Sequence, residues 1–97
     1  MAQRVFKISG STQVKLVDKG DPGASYIAMA NIHNEDTAIV SLFLANPTDN
    51  YYIFKNLSIP AGQTLILDGA EIKYDNRVFN LYIKLGAAGS VVDVILK

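Results

Sequence analysis

The chain has 97 residues, nine basic and nine acidic side chains, a formal net charge of zero, 49% hydrophobic residues and no cysteine. A chain of this length makes one domain, residues 1–97, and buries roughly 60–65% of its unfolded surface in one modest core. The composition excludes a disulfide framework, a cysteine zinc cluster and thiol chemistry; it argues against disorder, and its singly scattered lysines and arginines argue against a nucleic-acid partner, which would call for a basic stripe.

Period-two alternation runs through the chain and predicts strands with one buried face. Residues 1–3 read as a loose arm. Arg4–Ile8 places Phe6 with Ile8 and Val5 with Lys7. Ser9-Gly10-Ser11 turns into Thr12–Val17, where Val14 and Leu16 share a face. Asp18-Lys19-Gly20-Asp21-Pro22-Gly23 is the densest loop signal, since glycine, proline and aspartate fit turns and not ladders. Ser25–His33 predicts a third strand in which small alanines alternate with Ile27 and Met29. Thr37–Ala45 is apolar on both faces and predicts a central strand.

Asn46-Pro47-Thr48-Asp49-Asn50 is a turn cluster, and Tyr51–Ile59 the fifth strand. Pro60 lacks an N–H and ends pairing at Ile59; Gly62 supplies a permissive backbone, and Thr64–Leu67 follows, so Pro60 to Gly62 reads as a corner between strands. Glu71–Tyr74 predicts an edge strand or a loop. Arg77–Leu85 places Phe79, Leu81, Ile83 and Leu85 on one face. After a turn at residues 86–90, Val91–Leu96 sets Val92, Val94 and Leu96 against Val91, Asp93 and Ile95.

No window sustains a helical pattern. About eight short strands at this spacing predict an all-β fold: a single antiparallel β-sandwich, jelly-roll or immunoglobulin-like. Connections this short predict that most paired strands are hairpins. The longest apolar stretch, Ala38–Ala45, falls far short of the roughly 20 residues of a membrane span. The N-terminal segment carries no signal-peptide pattern, so the expectation is a soluble chain made in a cytoplasm with no membrane partner.

The single histidine, His33, stands before Asn34-Glu35-Asp36. A catalytic zinc site needs about three protein ligands, so a strand-end surface histidine is the plainer reading. No serine sits in a G-x-S-x-G elbow, and no phosphate loop is present. The acids fall mostly in turns, where aspartate bonds its own backbone. Asp18, Asp21 and Asp36 remain candidates for a calcium ion if they cluster at one end, although their spacing is not that of an EF-hand. Tyr51 and Tyr52 point to opposite faces of a strand, one expected in the core and one outside. The outward ring either forms a cross-strand pair or offers a surface to a sugar or a protein. These residues predict a binding or structural role without catalysis or cofactor.

Residues Val40–Leu67, VSLFLANPTDNYYIFKNLSIPAGQTLIL, resemble a pattern of small virion proteins of tailed bacteriophages. The pattern runs from a V-S-L-F-L strand through a polar turn, Tyr-Tyr-Ile and Ile-Pro-Ala-Gly to a Thr-Leu-Ile-Leu strand and Asp-Gly. The last sixteen residues, YIKLGAAGSVVDVILK, are similar to the final hairpin of such proteins. The resemblance implies a non-enzymatic β-sandwich, made in the host cytoplasm, that assembles on the head, neck or tail of the particle. A decoration (cement) protein on the major capsid protein shell is the first expectation. A neck or tail component and a carbohydrate-binding adhesion module are the alternatives. It further implies a homo-oligomer whose partner contacts fall on Asp18, Lys19 and Asp21, on Asn46, Thr48 and Asp49, on Tyr52 and on the N-terminal arm.

Overall fold

Alternation decides which side chains can share a core, and pairing decides which strands bring them together. In a computed structural model of the chain, residues 4–21, 26–68, 74–75, 77–87 and 90–97 are described. These form eight strands: β1 (Arg4–Ser9), β2 (Val14–Val17), β3 (Tyr26–Ala30), β4 (Ala38–Ala45), β5 (Asn50–Ile59), β6 (Thr64–Asp68), β7 (Asn80–Leu85) and β8 (Val91–Leu96). They make two four-stranded antiparallel sheets, β1-β8-β3-β6 and β2-β7-β4-β5, packed as a sandwich. β1 pairs with β8, β2 with β7, β3 with β6 and β4 with β5, as if one long hairpin had been rolled over itself. This is the jelly-roll order, so of the two connectivities that the strand list allows the immunoglobulin-like one is not adopted.

The pairs are antiparallel as expected, but they are not mostly hairpins. Only β4 and β5 are both consecutive and paired. Every other connection crosses from one sheet to the other. A few residues span the ~10 Å between packed sheets as readily as they reverse within one. Crossing puts each strand's apolar face directly over that of its neighbour in sequence.

The interior is filled from both sheets. Ile8, Ile27, Met29, Val92, Val94 and Leu96 meet Leu16, Val40, Leu42, Leu81, Ile83 and Leu85. β4, the most apolar strand, lies inside its sheet between β7 and β5. Of the segment Glu71–Tyr74, only Tyr74 is described; it lies outside any strand and packs against the core. Residues 71–73 and the N-terminal arm, residues 1–3, lie outside the described residues.

β5 is ten residues long and pairs with the eight of β4. The surplus is absorbed by two register shifts, one between Val40 and Leu42 and one between Leu42 and Phe43. Asn56 lies in the first bulge with φ at 55°, and its N–H donates to the Ser41 hydroxyl at 3.0 Å. Asparagine enters the left-handed region more easily than other residues with a side chain. Asn56→Gly is therefore expected to leave the urea midpoint within a few tenths of a molar unit, while Asn56→Val lowers stability by about 1–2 kcal/mol.

Pro60 to Gln63 make the corner between β5 and β6. The Gln63 N–H donates to the Pro60 carbonyl at 3.1 Å, and Gly62 has φ at 80°, the geometry of a type II turn. The corner is tied to the β3–β4 connection by Asn31, which is fully buried. Its N–H donates to the Gln63 carbonyl at 2.9 Å and its carbonyl accepts the Gly62 N–H at 2.7 Å. Its side-chain amide donates to the carbonyls of Asp36 at 3.0 Å and Ile59 at 2.7 Å. Its Oδ1 accepts from the Asn34 amide at 2.5 Å. Asn34 in turn bonds both backbone groups of Val91, at 2.9 and 3.1 Å.

Gly86 follows β7 and donates its N–H to the Ile39 carbonyl at 2.8 Å. A Cβ there would stand 2.9 Å from the Ile39 Cβ and 3.1 Å from its Cγ2. These atoms belong to a β-branched side chain rooted in a strand, so they yield only if the backbone moves. Gly86→Ala is expected to cost roughly 1–3 kcal/mol, measured by thermal unfolding.

Candidate functional site

The two loops expected to touch partners meet at one end of the sandwich. Asp18, Lys19 and Asp21 leave β2; Asn46, Thr48 and Asp49 join β4 to β5. Asn80 bridges them: its Oδ1 accepts the Lys19 N–H at 2.7 Å, and it pairs in register with Ala45, the last residue of β4. Asp18, Lys19, Asp21, Thr48 and Asp49 are exposed. Asn46 is committed to the loop itself, its Oδ1 accepting the N–H groups of Thr48 at 2.9 Å and Asp49 at 2.8 Å. Asp18 meets the Lys15 ammonium at 2.8 Å, and that hydrogen bond raises the Lys15 pKa above the ordinary lysine value. Both partners are well exposed, so the pair adds little stability.

The aspartates do not gather as a calcium site requires. Asp18 and Asp21 precede β3 and Asp36 follows it, which places them at opposite ends of the sandwich. Among the described residues there is no group of three or more potential metal ligands. His33 is an exposed residue just beyond β3, with Nε2 2.8 Å from the Asp93 carboxylate.

The outer face of the β2-β7-β4-β5 sheet carries an aromatic row. Lys15, Tyr82, Phe43 and Tyr52 are successive cross-strand neighbours. The Phe43 ring stacks on Tyr82 at 5.4 Å and tilts against Tyr52 at 5.1 Å. The Lys55 ammonium lies 5.1 Å from the Tyr52 ring centre. Tyr52 is thus the outward tyrosine, 45% exposed, engaged in a cross-strand aromatic pair.

Tyr51 does not enter the core as expected. It is half exposed and meets Phe79 edge-on at 5.6 Å. Tyr51 pairs with Leu44 one residue from the strand end, where the interior opens to the rim. The bulged residues Ile53 and Phe54 pack on the core instead. Beside Tyr52 is an open cleft of about 300 Å³, lined among others by Ser41, Lys55, Asn56 and Lys84. Alternation in β7 places Lys84 outside, opposite Ile83 and Leu85, so its exposure was readable. Lys55 flanks a bulge, where alternation fails.

The opposite face of the molecule has a different character. On the outer face of the β1-β8-β3-β6 sheet, Val5, Ile95, Ala28 and Ile66 are successive cross-strand neighbours and form an unbroken apolar row. Val5 is 68% exposed and Ile66 53%. Ile32, just beyond β3, is also largely exposed. Between its two exposed ends the row is sheltered, Ala28 being buried and Ile95 half-buried; single exposed apolar residues are ordinary on soluble proteins, and here two stand at the ends of one apolar row. Set against protein-family models, curated proteins and solved structures, the chain matches none of them.

Proposed function

We propose that this chain is a non-enzymatic structural protein of a tailed-bacteriophage virion, and that it decorates the capsid shell as a cement protein. The observation that carries the proposal is the apolar row Val5–Ile95–Ala28–Ile66 across one sheet face, well exposed at its two ends, Val5 and Ile66. Such a face gives a protein that works by association a place to bury apolar area. The resemblance of Val40–Leu67 to phage virion proteins supports it, and the jelly-roll order is common among viral capsid domains, a likeness of fold alone. The action is mechanical: surface buried across seams between major capsid protein subunits resists the outward pressure of the packaged genome. The protein, made in the host cytoplasm, ends on the particle.

Quantitative mass spectrometry of purified virions tests the proposal. A copy number close to that of the major capsid protein is the expected result. A copy number of a few per particle transfers the chain to the neck or tail, and its absence from virions sinks the structural role.

A second reading, a carbohydrate-binding module displayed on the virion, draws on the cleft beside Tyr52 with Lys55 and Lys84 in its wall. A titration with host-surface glycans would then show saturable binding that Tyr52→Ala abolishes. Binding that survives Tyr52→Ala removes this reading.

A further inference from the structure

We infer that the outer face of the β1-β8-β3-β6 sheet is covered by a second copy of this chain, packed face to face about a two-fold axis that runs along the apolar row. The inference rests on the reading of that face as an assembly surface and names its occupant; the capsid contact then falls to the loop end at Asp18, Lys19, Asp21, Thr48 and Asp49.

The pattern of the face is self-complementary. β8 presents Asp93, Ile95 and then Lys97 outward, a negative, an apolar and a positive side chain in succession. The registers place Asp93 beside Ala30, and Ala30 beside Thr64. On the other side of the apolar row, the Lys97 N–H donates to the Tyr26 carbonyl at 3.0 Å, and Tyr26 pairs with Asp68. One flank therefore reads Lys7, Asp93, Ala30, Thr64 over all four strands, with Lys7 beside Asp93 on β1, and the other reads Lys97, Tyr26, Asp68 over β8, β3 and β6.

A two-fold rotation about the row lays each flank on the opposite flank of the partner copy. Asp93 then faces the partner's Lys97, the small Ala30 faces the partner's Tyr26, and the Thr64 hydroxyl faces the partner's Asp68 carboxylate. Each contact occurs twice, as an isologous interface requires. The apolar row meets itself at the centre, and charges stand at the rim, where specific interfaces carry them. His33 on Asp93 and the Lys97 ammonium 5.0 Å from the Tyr26 ring centre hold the two rim charges in place.

The size of the face sets the strength. Four strands about 4.8 Å apart and about five residues at roughly 3.3 Å give a face of roughly 19 by 17 Å. Covering it on both copies buries roughly 650 Å², below the range of standard interfaces, so a weak dimer is expected, populated at high micromolar concentration.

Analytical ultracentrifugation of the full chain over a micromolar concentration series tests the inference, with circular dichroism to confirm folding. Asp93→Lys alone and Lys97→Asp alone each set like charges in both rim contacts and are expected to weaken the dimer by about tenfold or more. The double exchange restores opposite charges and recovers the dimer to within about threefold of the parent. Ile95→Asp, at the centre, leaves a folded monomer.

A chain that stays monomeric throughout overturns the inference. So does a dimer indifferent to Ile95→Asp, or one that the double exchange fails to rescue. The virion copy number is read separately. A dimer missing from virions overturns the structural role alone, whereas a monomer found on virions overturns only the two-fold pairing.

Discussion

Asn31→Ala is expected to lower the unfolding free energy by roughly 2–4 kcal/mol, one of the largest losses available to a single polar residue in this chain. Asn31 is completely buried and every polar group it carries has a partner. Truncation leaves its backbone bonds to Gly62 and Gln63 in place. It strands the buried Ile59 carbonyl, removes a donor from the Asp36 carbonyl and leaves the Asn34 amide with Val91 alone, and a buried group left without a partner costs about 1–3 kcal/mol.

In a domain of this size each kcal/mol moves the midpoint by about 4–8 °C, so a fall of more than about 10 °C in thermal unfolding is the result to look for. Asn31→Asp separates hydrogen bonding from packing. It keeps the shape but turns two donors into acceptors facing carbonyls, and it is expected to be at least as harmful. A loss below about 1 kcal/mol for both variants would show that the corner at Pro60 and the β3–β4 connection hold without this hub.

Phe43→Ala is expected to cost about 3 kcal/mol, although Phe43 lies on an outer sheet face and not in the interior. Its burial is made locally. Tyr82 on one side and Tyr52 on the other close over the ring until it is 1% exposed. Removing it deletes the middle of the stack, with two aromatic contacts each worth about 0.5–1.5 kcal/mol beyond the area they cover. Tyr52→Ala, at the half-exposed end of the row, is expected to cost about 1 kcal/mol when both variants are unfolded in urea. Equal losses at the two positions would mean that the stack does not depend on its centre.

The positions of the strands were legible because alternation is a local property. Pairs such as Phe6 with Ile8, or Val92 with Val94 and Leu96, declare their face without knowledge of any partner. Val5 was legible as outward for the same reason, and Asp93 with Ile95 fell on one face before any sheet was known. Pairing was not legible, since the same short turn either reverses a chain within a sheet or carries it across the sandwich. The bulges of β5 hid the environment of Lys55 and sent Tyr51 to the rim. Asn31 gave no signal: read along the chain it is one more polar residue at a strand end, and its role arises from carbonyls 5 and 28 residues away. The gathering of Asp18, Lys19 and Asp21 with Asn46, Thr48 and Asp49 was invisible for the same reason, as it depends on Asn80.

The place of β8 has a consequence for how the molecule comes into being. β8 lies between β1 and β3, so β1 has no neighbour, and β3 has only β6, until residues 91–96 emerge from the ribosome. Until then the first strand is an unpaired edge with nothing to zip onto. Sequence-distant pairing of this kind makes folding slow, in the millisecond-to-second range, and makes it a single late event. A chain interrupted before Val91 would forfeit two strands of the sheet rather than one, and proteases would find β1 and the open edge of β3 exposed together.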